Sequence, residues 1–173
     1  VLLAASTHPG EEELVLTALK TLRERYPTLL LVLVPRHIER GAQISSAARS
    51  QGWQVSQRSA TPSTATMDTD VVVADTLGEL PWLIGAADAV VMGGTFIQHG
   101  GQNPLEAAVW AKPVVCGPST YNFTQIVNEL KEAGALLDAS DAVSLASALD
   151  QLLQNESARC ERGEAAARVV ARH

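Results

Sequence analysis

The sequence predicts an α/β fold, an open parallel β-sheet with helices on both faces. Three observations lead there. Apolar runs and helix-forming stretches alternate regularly along the 173 residues. The apolar runs are short and unbroken, as in Leu29-Leu30-Leu31-Val32-Leu33-Val34 and Val71-Val72-Val73. Strands buried on both faces have this appearance. Hydrophobic residues make up 46% of the chain, yet only three Trp, two Tyr and two Phe occur. The core must therefore be built from Val, Leu, Ile and Ala.

In chain order, strands are expected at 1–5, 29–34, 53–57, 70–74, 88–92 and 113–116. Helices are expected between them at 10–25, 38–51, 79–86, 104–111 and 122–133. Leu14, Leu16, Leu19 and Leu22 place an apolar stripe on the first helix. After Leu136-Leu137, residues 141–153 and 155–171 form two further helices, with Asp141 and Asn155 as caps. The Ser- and Thr-rich stretch from Ser56 to Thr69 is expected as a mobile surface loop.

The length fits one domain spanning residues 1–173, long enough to bury a full core without disulfides. The net charge is −6 and no basic run is present, which argues against nucleic acid as a partner. Small phosphorylated ligands stay open, because they need one Arg or one helix terminus rather than a patch. Cys116 and Cys160 sit in unrelated contexts, neither in a metal-type pair, and are expected as reduced thiols. No stretch approaches the ~20 apolar residues of a membrane span, and no leader pattern is present. The chain opens directly on strand-like Val1-Leu2-Leu3-Ala4-Ala5 without Met, so a fragment of a longer protein is expected.

Ligands of an open parallel sheet bind beyond the carboxyl ends of its strands. The first strand runs into Ser6-Thr7-His8-Pro9-Gly10-Glu11-Glu12, which is not the G-x-G-x-x-G of a dinucleotide site. The second runs into Pro35-Arg36-His37, and the Arg guanidinium matches a phosphate or carboxylate. The fifth runs into Gly93-Gly94-Thr95-Phe96 and then Gly100-Gly101-Gln102-Asn103-Pro104-Leu105-Glu106. Glycines admit close backbone approach, and exposed amides there can cradle a phosphate. Two readings of Glu106 fit the spacing equally. It closes a capping arrangement with Asn103 as N-cap and Pro104 at the first helical position, or its carboxylate accepts hydrogen bonds from a ribose diol. The sixth strand ends at Cys116-Gly117-Pro118, a turn, with Asn122 as a cap for the next helix.

Taken together, these motifs resemble the carboxyl-terminal half of 3-deoxy-D-manno-octulosonic acid (Kdo) transferases. The elements that carry the resemblance are Ser6-Thr7-His8-Pro9-Gly10-Glu11-Glu12, Pro35-Arg36-His37 with Glu39-Arg40, Gly78-Glu79-Leu80, Gly93-Gly94-Thr95-Phe96, Asn103-Pro104-Leu105-Glu106, Gly117-Pro118 and Asn122-Phe123. It covers residues 1 to about 137. Thr95 stands where the family usually has Ser, and Gln102 and Ser119 where it often has His, so neither position can take a proton near neutral pH.

The resemblance implies one Rossmann-like half of a two-domain (GT-B) inverting glycosyltransferase, gripping the donor CMP-Kdo and using no cofactor. It implies donor-binding roles for Arg36, His37, Gly93, Gly94, Thr95, Asn103 and Glu106. Ser6, Thr7, His8 and Asn122 would line the cleft. The general base, the lipid A precursor site and the membrane anchor would lie in the other half. The full-length enzyme would work at the cytoplasmic face of the bacterial inner membrane, and this half alone would be soluble and inactive. Two alternatives stand beside this reading: a UDP-sugar transferase or epimerase of the same architecture, and a non-catalytic nucleotide-binding module.

Overall fold

A computed structural model describes residues 1–60 and 65–173. The expected loop over 56–69 therefore lies partly outside the described residues. Seven strands form a single sheet: β1 Leu2–Thr7, β2 Leu31–Pro35, β3 Val55–Gln57, β4 Val71–Val73, β5 Ala89–Met92, β6 Val114–Cys116 and β7 Leu136–Asp138. Their order is β3-β4-β2-β1-β5-β6-β7, and every pair is parallel. Seven helices connect and cover them: α1 Glu11–Arg25, α2 Gly41–Ser50, α3 Leu80–Ala86, α4 Leu105–Ala108, α5 Thr124–Glu132, α6 Ala142–Leu153 and α7 Glu156–Val170.

Alternation along the strands builds two cores. Leu2 and Ala4 of β1 point to one face, with Leu16 and Leu19 of α1, Ile44 of α2 and Leu145, Leu149 and Leu152 of α6. Leu3 and Ala5 point to the other, with Ile84 of α3, Ala107 of α4, Val127 and Leu130 of α5 and Val169 of α7. Each fully buried Leu or Val stabilises the fold by about 1.5–3 kcal/mol. This two-sided burial is why the strands read as unbroken apolar runs.

Several boundaries differ from the sequence reading, each for a physical reason. β2 begins at Leu31 because Leu29 closes a turn on the Tyr26 carbonyl. Residues 136–138, not expected as a strand, form β7, since their amides and carbonyls complete the sheet beside β6. The helix expected at 104–111 is only four residues long. Asn122 does not cap α5; Phe123 takes that place, and the Asn122 amide instead donates to the His99 carbonyl at 3.1 Å. Asp141 and Asn155 do cap α6 and α7 through Ser144 N and Ala158 N.

The strand order reverses at β1, which has β2 on one side and β5 on the other. Such a switch point opens a crevice beyond the carboxyl ends of those three strands. At its floor the register slips between Ala5 and Thr7, and Ser6 adopts φ 57°. A non-glycine residue in this region costs about 1–3 kcal/mol and is held only by its surroundings. Gly93 supplies part of that setting: a Cβ there would meet the Ala5 carbonyl oxygen at 2.5 Å and collide with that of Ser6. Both obstacles are backbone. Gly93→Ala should therefore destabilise the protein by at least about 1–3 kcal/mol, read as a drop of roughly 2–4 °C in melting temperature per kcal/mol. An unchanged melting temperature would show that the β1 and β5 ends are not locked together.

Candidate functional site

Three loops meet in the crevice. The β1–α1 turn brings His8, the β2–α2 turn brings Arg36 and His37, and the loop after β5 brings Gly93 to Glu106. Their joint is a residue the sequence reading passed over. Glu11 opens α1 and is 1% exposed. Its Oε2 accepts from His8 N at 2.8 Å and Gly94 N at 2.9 Å, and its Oε1 from Phe96 N at 3.1 Å. In sequence, the acidic run Glu11-Glu12-Glu13 looks like an ordinary helix start, so nothing local marks the long-range clamp.

This clamp changes the reading of the glycine-rich loop. Gly94 N–H is held by Glu11, and Gly93 N–H by the Ala5 carbonyl at 2.7 Å. Neither amide is open to a phosphate, contrary to the expected cradle. Thr95 is 1% exposed; its hydroxyl donates to the Met92 carbonyl at 2.6 Å and accepts from Gly117 N at 2.8 Å. Its side chain ties β5 to β6 and does not face the crevice as a free donor. Gly93 and Gly94 serve by close packing: a Cβ at Gly94, where φ is 72°, would lie 3.0 Å from His99 Cδ2.

Charged and aromatic side chains gather above this floor. His8 is buried, with its ring 4.1 Å from that of His99 and 5.9 Å from that of His37, centroid to centroid. Its pKa is lowered, first by burial and then by His99, with smaller lowering by His37 and Arg36 and an opposing pull from Glu11. His8 is therefore neutral around pH 7. Its Nε2 lies 3.2 Å from the Gln102 amide nitrogen, which can only donate, so the bond assigns Nε2 as acceptor. His99 was not singled out from sequence, because nothing in the run Gln98-His99-Gly100 separates it from loop filler. Gly100 and Gly101, at φ 90° and 87°, turn the chain so that its exposed ring covers His8.

Arg36 and His37 are exposed at the crevice rim. Arg36 N donates to the Thr7 carbonyl at 2.9 Å, which fixes its backbone. Among the described residues its guanidinium has no hydrogen-bond partner. Asn103 Oδ1 accepts from Leu105 N at 3.0 Å, ordering the turn before α4. Asn103 thus caps the turn as expected, but Glu106 does not complete the capping arrangement: among the described residues its carboxylate makes no hydrogen bond back to the Asn103 amide. Its carboxylate reaches solvent with no hydrogen-bond partner among the described residues. Surrounding protein raises its pKa by desolvation, and Arg36 partly offsets this. A cation and a carboxylate thus face one crevice at the switch point, each without a structural duty. Ser6 and Thr7 end β1; Thr7 is 2% exposed with its hydroxyl buried, so that side chain does not line the crevice as expected. Ser119 Oγ accepts from Gly100 N at 3.0 Å. Glu79 of the Gly78-Glu79-Leu80 motif is occupied by Arg58, just after β3, at 2.8 and 2.9 Å and by Thr76 of its own loop.

Among the described residues, no group of three or more His, Cys, Asp or Glu is placed to hold a metal ion, and no helix is long and apolar enough to cross a membrane. Cys116 is buried, its thiol pushed up to about 12 by desolvation, and Cys160 is exposed. Both are free.

The family description "Glycosyl transferases group 1" matches residues 12–169. A 3-deoxy-D-manno-octulosonic acid transferase of Haemophilus influenzae is 37% identical over 97% of the chain, and one of Bordetella pertussis 36% identical over all of it. The chain spans 39% and 41% of the length of these two relatives. The crystal structure of the C-terminal CMP-Kdo binding domain of WaaA from Acinetobacter baumannii superposes with a TM-score of 0.91 at 30% identity, covering 98% of this chain and 88% of that one. The chain therefore belongs to the glycosyl transferases group 1 family, and within it to the carboxyl-terminal domains of the 3-deoxy-D-manno-octulosonic acid transferase type.

Proposed function

We propose that this chain is the donor-binding half of an inverting Kdo transferase, holding CMP-Kdo in the crevice beyond β1, β2 and β5. The observation that carries this reading is the pairing of Arg36 with Glu106, two charged groups without internal partners at the switch point. Arg36, with His37 beside it, contacts the phosphate. Glu106 accepts hydrogen bonds from the ribose diol. His8, Asn103 and Asn122 shape the crevice. In the intact enzyme, a hydroxyl of a lipid A precursor loses its proton to a base on the other half and attacks the anomeric carbon of Kdo. The bond from that carbon to the phosphate oxygen breaks, and CMP leaves with the electron pair. Charge grows on the phosphate, where a prepositioned guanidinium stabilises it most. The other half also carries the acceptor and the attachment to the inner membrane, and neither a metal nor a further cofactor enters this scheme.

The test is calorimetric titration with CMP, UDP and 2′,3′-dideoxy-CMP, on wild type and Glu106→Gln. CMP should bind more tightly than UDP. Glu106→Gln should weaken CMP but not the dideoxy analogue, giving a non-zero coupling energy between carboxylate and diol. The pH dependence has a definite sign. The diol needs the ionised carboxylate, and the Glu106 pKa is raised. CMP affinity should therefore begin to fall, on acidification, above the usual glutamate range, whereas dideoxy-CMP affinity should not follow that titration. Zero coupling would remove Glu106 from the nucleotide site, and equal affinity for UDP would favour a UDP-sugar transferase.

A further inference from the structure

The turn that carries Arg36 and His37 is held at few points. Arg36 N donates to the Thr7 carbonyl at 2.9 Å, and Arg40 N closes the turn on the His37 carbonyl at 3.1 Å. Among the described residues, one ion pair crosses from this turn to α1: Arg40 Nη2 lies 2.5 Å from Glu12 Oε1. The Glu12 side chain is 8% exposed and that of Arg40 18%. Glu12 Oε2 and Arg40 Nη1 are buried with no hydrogen-bond partner among the described residues. Taking two charges out of water costs more than their attraction returns unless the remaining lone pairs and protons are also bonded. This pair therefore adds little net stability over apolar side chains of the same size. What it supplies is direction, because it fixes where the turn after β2 stands relative to α1.

We infer that Glu12 and Arg40 are positioning residues: their buried ion pair holds the turn after β2 so that the Arg36 guanidinium faces Glu106 across the crevice. Two adjacent carboxylates in the first turn of α1 then set both walls. Glu11 holds the glycine-rich loop through Gly94 N and Phe96 N, and Glu12 holds the arginine turn through Arg40. The placement of Arg36 by this pair needs no ligand. Its effect on nucleotide affinity rests on the donor-binding reading. Glu106 supplies an internal gauge of that placement. Burial raises its pKa, and Arg36 is the charge that pulls it back. A turn set loose takes the guanidinium away from Glu106 for part of the time, and the carboxyl then titrates at higher pH.

The experiment compares the wild-type 173-residue chain with Glu12→Met/Arg40→Met and with Glu12→Gln. The double variant replaces the pair by apolar side chains and leaves the net charge unchanged, so its melting temperature should stay within about 4 °C of wild type. Glu12→Gln leaves the Arg40 charge buried without its partner and should melt lower. In the absence of ligand, NMR of the Glu106 carboxyl should show titration at higher pH in both variants. Loss of the Glu12 charge acting directly on Glu106 would move that titration to lower pH, so the sign separates position from charge. In an Arg36→Ala background neither variant should raise it further. Calorimetry should show CMP binding weakened about three- to tenfold by the double variant, and unaffected by it once Arg36 is Ala. The inference is overturned by a double variant that does not fold, by a Glu106 titration unchanged in the folded double variant, or by effects that persist undiminished in Arg36→Ala. Absence of CMP binding by wild type would remove the donor-binding reading alone, since the ligand-free titrations still decide the role of the pair.

Discussion

Glu11→Ala should cost about 3–5 kcal/mol of stability, the largest effect expected of any single substitution at the site. The carboxylate accepts from three backbone amides on two separate loops. Its removal leaves His8 N and Gly94 N buried without acceptors, and Phe96 N partly so. Each unsatisfied buried amide costs about 1–3 kcal/mol, less than additively when neighbours share the loss. Glu11→Gln should fall between, because one amide oxygen can still accept while the new NH₂ faces an N–H donor. Urea unfolding measures the first effect. Calorimetry with CMP on Glu11→Gln, below its melting temperature, measures a second: freeing the glycine-rich loop should weaken nucleotide binding although Glu11 itself touches no ligand. Glu11→Ala within about 1 kcal/mol of wild type would show that the three bonds are dispensable.

The fold was legible because two-sided burial leaves a local trace. Five of the seven strands stand out as apolar runs; β3, Val55-Ser56-Gln57, holds one apolar residue and lay within an expected strand at 53–57, whereas β7, Leu136-Leu137-Asp138, holds two and gains its identity from pairing with β6. Caps that bond within three residues, as at Asp141 and Asn155, were also visible. Asn122 was misread as a cap because its true partner, His99, lies 23 positions away. The site was legible as a set of strand ends but not as a set of roles. Gly93, Gly94 and Thr95 sit where expected, yet their donors are consumed by Ala5, Glu11 and Met92. Spacing left Glu106 undecided between cap and ligand; only the three-dimensional arrangement shows that Asn103 bonds Leu105 N while the Glu106 carboxylate makes no capping bond.

On the proposed donor-binding reading, that distribution of hydrogen bonds also says where anion affinity would originate. Three acidic residues fill the first turn of α1, so its amino terminus is no anion seat. With the Gly93 and Gly94 amides engaged, the positive contribution would fall to Arg36. His8 remains neutral, held as an acceptor toward Gln102.

Arg36→Ala should accordingly lower the affinity for CMP about ten- to a hundredfold, the worth of one charge-assisted hydrogen bond at about 1.5–3 kcal/mol. Stability should stay within about 0.5 kcal/mol of wild type, since Arg36 is exposed and its guanidinium has no internal partner. Arg36→Lys should recover only part of the affinity, because an ammonium lacks the planar fork that meets two phosphate oxygens. Two titrations provide a check independent of ligand. Arg36 lowers the pKa of both Glu106 and His8. In Arg36→Ala, both should therefore titrate at higher pH than in wild type, read by NMR of the Glu106 carboxyl and the His8 ring. The Glu106 shift has a consequence for binding: the carboxylate is protonated over more of the acidic range, so the remaining CMP affinity should fall away at higher pH in the variant. Unchanged affinity would remove Arg36 from the phosphate site. Unchanged titration of both Glu106 and His8 would place its guanidinium outside the crevice altogether.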